Sequence, residues 1–227
     1  WITQKTGKKV LVLQPSKELT SQNFEKYLAT GEKASIFSAS ANSKCTRHNV
    51  VYATPKTVLN SVSRFGDAFA CVIVDECHMT TPTIKQIIAH IAAKNPMLRV
   101  IGMTATPYRL GTGYIYQYDA TGERISKLDT DETIDAYYHS LLYKINTRAL
   151  IDMGFLTPAY TCPSQLHYNT DALTINKMGN FDARQIEQAF EGQGRLTSQI
   201  VADVVQHSQG RNGVMLFAST VKHAQEI

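Results

Sequence analysis

Short apolar runs alternate with amphipathic segments along the first half of the chain, and this alternation restricts the fold more than any other feature. Helices are predicted at amphipathic segments such as SKELTSQNFEKYL and TIKQIIAHIAA. Buried strands are predicted between them, at VLVLQP, ASIFSA, NVVYAT, ACVIVDE and LRVIGMTAT. Strands that alternate with helices favour a mostly parallel sheet covered on both faces. The predicted fold class is therefore α/β, with a parallel sheet flanked by helices.

Polar residues follow the predicted strands repeatedly. Gln14, Pro15 and Ser16 follow the first, Thr54 follows VVYA, Asp75 and Glu76 follow VIV, and the stretch from Thr104 to Thr106 follows VIGM. In open parallel sheets, ligands bind at the carboxyl ends of the strands. The recurrence of polar residues at strand ends therefore predicts a functional site at that edge.

Composition narrows the class of protein. With 43% hydrophobic and 19% charged residues the chain is of ordinary globular composition. The stretch WITQKTGKKV lacks the apolar region and cleavage site of a signal peptide, and no run of about 18 apolar residues indicates a membrane span. Its four cysteines form no C-x-x-C pair, which suits a reduced cytosolic protein. A net charge of +4 and a pI of 8.8 permit an anionic partner such as nucleic acid without requiring one.

The adjacent acids of VIVDECHMT suit phosphate chemistry. One carboxylate can hold Mg²⁺, a cation that combines a carboxylate with water and substrate phosphates, and the other can deprotonate an attacking water. The alternative is a solvated acidic pair at a strand end. A zinc site built on Cys77 and His78 is disfavoured because the ligand spacing does not match known zinc sites.

Two motifs carry a family resemblance. DECH (75–78), followed one helix and one strand later by TATP (104–107), resembles motifs II and III of superfamily 2 DExH-box helicases and translocases. Three further segments resemble motifs Ia, Ib and IV in the same order: LVLQPSKEL, VVYATPKTVLNSV and GVMLFASTVKHAQEI. Within the restriction-endonuclease-like helicase group, TATPYRLGTGYIYQYD and the motif IV segment are most similar to RadD-type bacterial DNA-repair helicases.

This resemblance implies two motor domains. Residues 1–156 would form a RecA-like helicase domain 1 without its phosphate-loop segment and with an insertion at about 108–135. Residues 157–227 would form the linker and the beginning of a second RecA-like domain. In this second half, helices are predicted from Tyr137 to Phe155 and from starts at Asp182 and Thr197, followed by a strand in RNGVMLFAST.

The resemblance also implies roles for individual residues. Asp75 would bind Mg²⁺ and Glu76 would activate the attacking water, while His78, Thr104 and Thr106 would couple the ATP site to motif III. Phosphates of the nucleic acid would be contacted by Ser16, Lys17, Thr54, Lys56, Ser219 and Thr220. The lysines could equally be solvated surface residues.

The implied cofactors are ATP and Mg²⁺, and the implied partner is DNA, single-stranded or duplex with single-stranded regions. RNA is an alternative partner, because contacts to phosphates do not distinguish RNA from DNA. The implied role is DNA repair or recombination, in the bacterial cytoplasm at the nucleoid.

One departure from the family pattern is large. The phosphate loop G-x-x-x-x-G-K-[ST] is absent, since GKK (7–9) and GEK (31–33) lack both the leading glycine and the Ser or Thr. The chain also begins without Met and ends inside a predicted helix. We expect a fragment that starts after the phosphate-loop helix and that, by itself, binds nucleotide poorly and hydrolyses little.

Three alternatives remain at this point. The motor subunit of a restriction system carries the same motifs. A non-catalytic nucleic-acid-binding module would lack the phosphate loop by nature. A metal-dependent phosphohydrolase would use Asp75 and Glu76 directly, although it would need further ligands after other strands.

Overall fold

A computed structural model of the chain describes residues 1–109, 113–126, 136–162, 164–175 and 180–227. The chain divides into two compact units, Trp1–Pro107 and Tyr108–Ile227. The predicted boundary between motor domains at residues 156 and 157 stays a prediction. Parts of the predicted insertion, residues 110–112 and 127–135, lie outside the described residues.

The first unit is built on a six-stranded sheet with the strand order β3-β2-β4-β1-β5-β6. Every neighbouring pair is parallel except β2 and β3. This arrangement confirms the predicted α/β class with a mostly parallel sheet flanked by helices. Its elements are α1 (Ile2–Thr6), β1 (Lys9–Leu13), α2 (Lys17–Leu28), β2 (Ala34–Ser38), β3 (Ser43–Lys44), β4 (Val50–Ala53), α3 (Pro55–Leu59), β5 (Phe69–Asp75), α4 (Pro82–Lys94) and β6 (Arg99–Met103).

Alternation along the strands sorts the apolar side chains onto two faces. Leu13, Phe37, Ala53 and Val74 lie side by side in the strand register and are fully buried on one face. Phe37 packs edge-on against Phe65, with 5.1 Å between the ring centroids. Full burial of a large apolar side chain contributes about 1.5–3 kcal/mol, so this face supplies much of the unit's stability.

The opposite face of the sheet is covered by α1 and α2. Ile2 packs against a cluster that includes Val12, and Phe24 and Tyr27 of α2 lie with their ring centroids 6.3 and 5.9 Å from that of Tyr52. Of the apolar face predicted for SKELTSQNFEKYL, Phe24 and Tyr27 thus contact the sheet, whereas Leu28 is 40% exposed. Both faces together hold the strand ends in fixed positions.

In the described part of the second unit, short strands are followed by four helices. Its elements are β7 (Tyr108–Arg109), β8 (Gly113–Tyr114), β9 (Tyr116–Tyr118), β10 (Tyr138–Ser140), α5 (Thr147–Asp152), α6 (Ala183–Phe190), α7 (Gly194–His207) and α8 (Val221–Glu226). β7 pairs antiparallel with β8, and β9 pairs parallel with β10. The rings of Tyr168, Phe190 and His223 contact one another with centroids 5.0–5.5 Å apart.

Three sequence predictions in this unit need correction. The helix predicted from Tyr137 to Phe155 begins only at Thr147, because residues 138–140 pair with β9 instead. The helix predicted to start at Thr197 begins at Gly194. Residues 213–218, predicted as a strand, have no regular structure, and no described strand lies beside them to accept their backbone hydrogen bonds.

The helix start at Asp182 is confirmed. Asp182 precedes α6, and its carboxylate accepts hydrogen bonds from the backbone amides of Arg184 and Gln185, at 3.0 and 3.2 Å. None of the helices in the described part of the chain has the length and apolar character that crossing a bilayer requires.

Candidate active site

The carboxyl edge of the first unit's sheet brings the predicted site residues of that unit to one side. Asp75 ends β5 and lies opposite Met103 in β6, so Thr104 follows directly beside the acids. Gln14 follows β1, and Thr54 follows β4. Because these strands are parallel, their ends share one edge, and this set of strand ends is called the carboxyl edge below.

Asp75 is held at both of its carboxylate oxygens. Oδ2 accepts a hydrogen bond from Nε2 of Gln14 at 3.1 Å, and Oδ1 accepts one from the backbone amide of Glu76 at 3.0 Å. Each oxygen keeps further lone pairs, since an ionised carboxylate has about four acceptor sites. The Gln14 contact does not follow from the sequence motifs, although the register of two adjacent parallel strands implies it.

Glu76 has a left-handed backbone, with φ 48° and ψ 47°, and precedes a 3₁₀ turn at Cys77–Met79. Such angles are strained for a residue with a Cβ and cluster at functional sites. The turn leaves the Glu76 side chain 42% exposed, with Oε2 at 3.3 Å from Nδ1 of His78. The carboxylate can therefore reach water while its neighbour Asp75 is fixed.

His78 connects the ends of two adjacent strands. Its Nδ1 lies 2.8 Å from Oγ1 of Thr104, and the same Thr104 oxygen accepts a hydrogen bond from the backbone amide of Thr106 at 3.0 Å. Nδ1 of His78 thus lies near both the Glu76 carboxylate, at 3.3 Å, and the Thr104 hydroxyl that begins the turn after β6. The structure brings together the residues predicted to couple motifs II and III, and the coupling itself stays a prediction.

Ser16 and Lys17 begin α2 at this edge. Ser16 is the N-cap, and its hydroxyl accepts a hydrogen bond from the backbone amide of Leu19 at 3.2 Å. The backbone amide of Glu18 and, after it, a separate hydrogen bond from the Ser16 side chain lower the pKa of the exposed Glu18 carboxyl. Lys17 is exposed. The predicted phosphate contact at Ser16 thus coincides with a structural cap.

Thr54 belongs to a network of hydroxyls that the motifs do not indicate. Its Oγ1 lies 3.1 Å from Oγ of Ser38 and 3.0 Å from Oγ1 of Thr57. Thr57 also accepts a hydrogen bond from the backbone amide of Ala39 at 3.1 Å, and Ser38 contacts Ser40 at 3.0 Å. The network joins the ends of β2 and β4. The polar residues in and after the predicted strand ASIFSA are the sequence feature that could have indicated this network.

Lys56 lies in the first turn of α3 and is exposed. With Lys17 it adds positive charge near the hydroxyls that end β1 and β4. The acids that end β5 lie on the other side of β1 in the strand order. The carboxyl edge is thus divided into a basic, hydroxyl-bearing part and an acidic part.

Ser219 and Thr220 lie in the second unit. The backbone amide of exposed Ser219 donates to Nδ1 of His223 at 3.2 Å. Thr220 caps α8, and its hydroxyl lies 2.7 Å from Oε1 of Glu191. This hydroxyl, followed by Lys222, lowers the pKa of the Glu191 carboxyl. Thr220 therefore has a structural role already, whereas the Ser219 side chain faces solvent.

Among the described residues, no three His, Cys, Asp or Glu side chains converge as a metal-binding cluster. Mg²⁺ does not require one, because it is commonly bound by one or two carboxylates together with water and substrate phosphates. One observation fits such an ion beside Asp75: the buried Oε1 of Gln14 has no hydrogen-bond partner among the described residues.

Comparison with known proteins gives one family match. Residues 1–109 match the family model described as type III restriction enzyme, res subunit. No curated protein sequence matches the chain. The matched segment contains every site residue of the first unit, from Gln14 to Thr106.

Two solved structures are similar at low identity. The Hef helicase domain of Pyrococcus furiosus is 22% identical, with a TM-score of 0.41, over 48% of this chain and 26% of that one. The UvsW helicase of bacteriophage T4 is 22% identical, with a TM-score of 0.37, over 44% of this chain and 38% of that one. The chain thus spans well under half of either protein.

The family match and the DECH and TATP motifs agree on the same segment. Together they support a superfamily 2 helicase or translocase, a class of protein that binds nucleotide and nucleic acid. The resemblance covers residues 1–109, which include the whole first unit and the first two residues of the second.

Proposed function

We propose that this chain is part of an ATP-dependent motor that moves along DNA, acting in repair or recombination as RadD-type helicases do. Residues 1–156 form its first motor domain and residues 157–227 begin the second. The observation that carries the proposal is the contact of His78, beside the Asp75–Glu76 pair, with Thr104, which follows the next strand, β6.

The acidic part of the carboxyl edge acts on ATP. Asp75, fixed at both oxygens, holds Mg²⁺, which shields phosphate charge when it is bound with ATP. Glu76 is exposed enough to accept the proton of the attacking water. His78 and Thr104 transmit the state of this site to the turn that contains Thr106.

The basic part of the carboxyl edge contacts the sugar-phosphate backbone. Ser16 and Thr54 with the exposed Lys17 and Lys56 supply hydroxyls and cations that bind phosphates without reading bases. Ser219 and Thr220 make such contacts from the second unit. Contacts of this kind are independent of sequence, as movement along a strand requires.

A second candidate is the motor subunit of a restriction system. The match of residues 1–109 to the type III restriction enzyme, res subunit, favours it. Such a motor moves on duplex DNA. It would displace the third strand from a DNA triplex and leave the two strands of the duplex paired. Separation of a forked duplex would identify the helicase.

The coupling contact can be tested directly. In the natural full-length protein, Thr104→Val keeps the shape of the side chain and removes the hydroxyl that contacts His78. We expect the ratio of ATP hydrolysis with and without single-stranded DNA to fall toward one. Thr6→Val, which alters an exposed threonine of α1, is the control. An unchanged ratio in Thr104→Val would contradict the proposed coupling.

A further inference from the structure

Gln14 is a buried amide at a predicted strand end, and the family resemblance gives it no role. It follows β1 and is only 1% exposed. Its backbone amide donates to the carbonyl of Ala53 at 3.0 Å, and its side-chain Nε2 donates to Oδ2 of Asp75 at 3.1 Å. Its Oε1 is buried and has no hydrogen-bond partner among the described residues.

The orientation of this amide follows from its neighbour. An ionised carboxylate only accepts hydrogen bonds, so the NH₂ group of Gln14 must face Asp75. The amide oxygen therefore makes no hydrogen bond to Asp75. Leaving a buried acceptor without a partner is unfavourable, and an apolar side chain of the same size would avoid it.

We propose that Gln14 is a positioning residue of a divalent-cation site at Asp75. Nε2 fixes the carboxylate, and Oε1 accepts a hydrogen bond from a water of the hydrated cation, since Mg²⁺ usually keeps several waters in proteins. Groups that orient a metal-binding carboxylate are known to affect metal affinity strongly. This inference rests on the proposed Mg²⁺ role of Asp75.

Mn²⁺ binding to the full chain tests the inference without any measurement of hydrolysis. Electron paramagnetic resonance gives the dissociation constant for Mn²⁺ alone in the wild type, Asp75→Asn, Gln14→Met and the control Gln4→Met. Gln4 is exposed on α1, before the amino end of β1. We expect Gln14→Met to weaken the Asp75-dependent binding about tenfold or more and Gln4→Met to leave it unchanged.

Two failures can be distinguished. Wild-type affinity in Gln14→Met, with loss in Asp75→Asn, would overturn the role of Gln14 and leave Asp75 as a metal ligand. Wild-type binding in Asp75→Asn, or no binding in the wild type, would overturn the proposed metal role of Asp75 and the inference with it.

A measurement on the unmodified protein covers the case in which Gln14→Met does not fold. The side-chain NH₂ signals of Gln14 and Gln4 are followed by nuclear magnetic resonance as Mn²⁺ is added. We expect the paramagnetic ion to broaden the Gln14 signals at concentrations that leave the Gln4 signals sharp. Equal behaviour of the two signals would overturn the proposal.

Discussion

At the scale of single residues, the backbone of Glu76 distinguishes this site from an ordinary strand end. Its φ of 48° is one of two positive values at non-glycine positions in the described residues. For a residue with a Cβ, a left-handed conformation costs about 1–2 kcal/mol. This left-handed residue turns the chain after β5, where the Glu76 side chain is 42% exposed and Asp75 is half-buried.

Glycine should therefore be more stable than alanine at this position. We expect Glu76→Gly to have a free energy of unfolding about 1 kcal/mol higher than that of Glu76→Ala, because only glycine adopts this φ without steric cost. Chemical denaturation measures both. At Gln86, exposed on helix α4, the order should reverse by about 1 kcal/mol. Equal stability of the two Glu76 variants would show that the backbone is unstrained.

The sequence predicts the acids but not their geometry. The position of Asp75 at a strand end follows from the apolar run before it, and the motif assigns Glu76 a role. The left-handed backbone of Glu76 and the contact of Gln14 with Asp75 depend on how neighbouring strands align. That alignment joins residues far apart in the chain, and no local pattern encodes it.

At the scale of elements, helix caps account for two of the predicted phosphate-binding hydroxyls. Ser16 caps α2 and Thr220 caps α8, each by accepting a backbone amide in the first turn. A capping hydroxyl and a phosphate-binding hydroxyl occupy the same place, because the free amides of a helix start attract both. A test of phosphate binding at these positions therefore needs a substitution that keeps the helix cap.

Two substitutions at Ser16 make this separation. Ser16→Ala removes the cap and should lower the free energy of unfolding by about 1 kcal/mol. Ser16→Asp keeps a good cap but brings a negative charge to the carboxyl edge. We expect Ser16→Asp to match the wild type in thermal stability and to bind single-stranded DNA more weakly than Ser16→Ala. Equal DNA binding by both variants would leave Ser16 with the capping role alone.

The buried histidine of α8 organises the second unit in a similar way. His223 is 4% exposed, and its Nε2 lies 3.0 Å from the hydroxyl of Tyr168, which donates to Oγ1 of Thr197 at 2.9 Å. Nδ1 accepts the backbone amide of Ser219. The imidazole thereby joins α7, α8 and the segment predicted to contact phosphates.

Removal of one hydroxyl should break this network. We expect Tyr168→Phe to lower the free energy of unfolding of the second unit by about 1–3 kcal/mol, because it leaves buried polar groups on Thr197 and His223 without a partner. Tyr160→Phe, at a residue 86% exposed, should change it by less than about 0.5 kcal/mol. Similar denaturation curves for the two variants would contradict this account of His223.

The predictions of helices and strands are correct where helix capping and apolar periodicity agree. They fail where pairing with a strand distant in the sequence determines the structure. Asp182 starts α6 as predicted because its side chain caps the first amides. Residues 138–140 leave their predicted helix because the Tyr-rich strand β9 pairs with them. Residues 213–218 are apolar enough for a strand, but strands form only beside other strands.

At the scale of the whole molecule, the carboxyl edge of the first unit separates charge by strand order. Hydroxyls and lysines follow β1 and β4, whereas the acids follow β5. The strand order itself was not predictable from the sequence, since a parallel α/β sheet admits several orders. The sequence predicted only that the strands are parallel and that polar residues lie at their ends.

The basic part of this edge makes a prediction about salt. Each phosphate contact of a lysine to single-stranded DNA contributes about 0.7 to the slope of log affinity against log salt concentration. We expect Lys17→Ala and Lys56→Ala each to reduce that slope by about this amount. Lys26, exposed at the other end of α2, is the control for Lys17. Identical slopes for Lys17→Ala and Lys26→Ala would show that Lys17 does not contact a DNA phosphate.

The central claim, that Glu76 drives ATP hydrolysis coupled to DNA, is tested most directly by one rate measurement. ATP hydrolysis by the natural full-length protein is compared with and without single-stranded DNA, in the wild type and in Glu76→Gln. We expect DNA to raise the wild-type rate and Glu76→Gln to lower it about 10²–10⁴-fold while DNA binding persists. The central claim would be contradicted if Glu76→Gln left the rate of ATP hydrolysis unchanged, or if DNA did not change the wild-type rate.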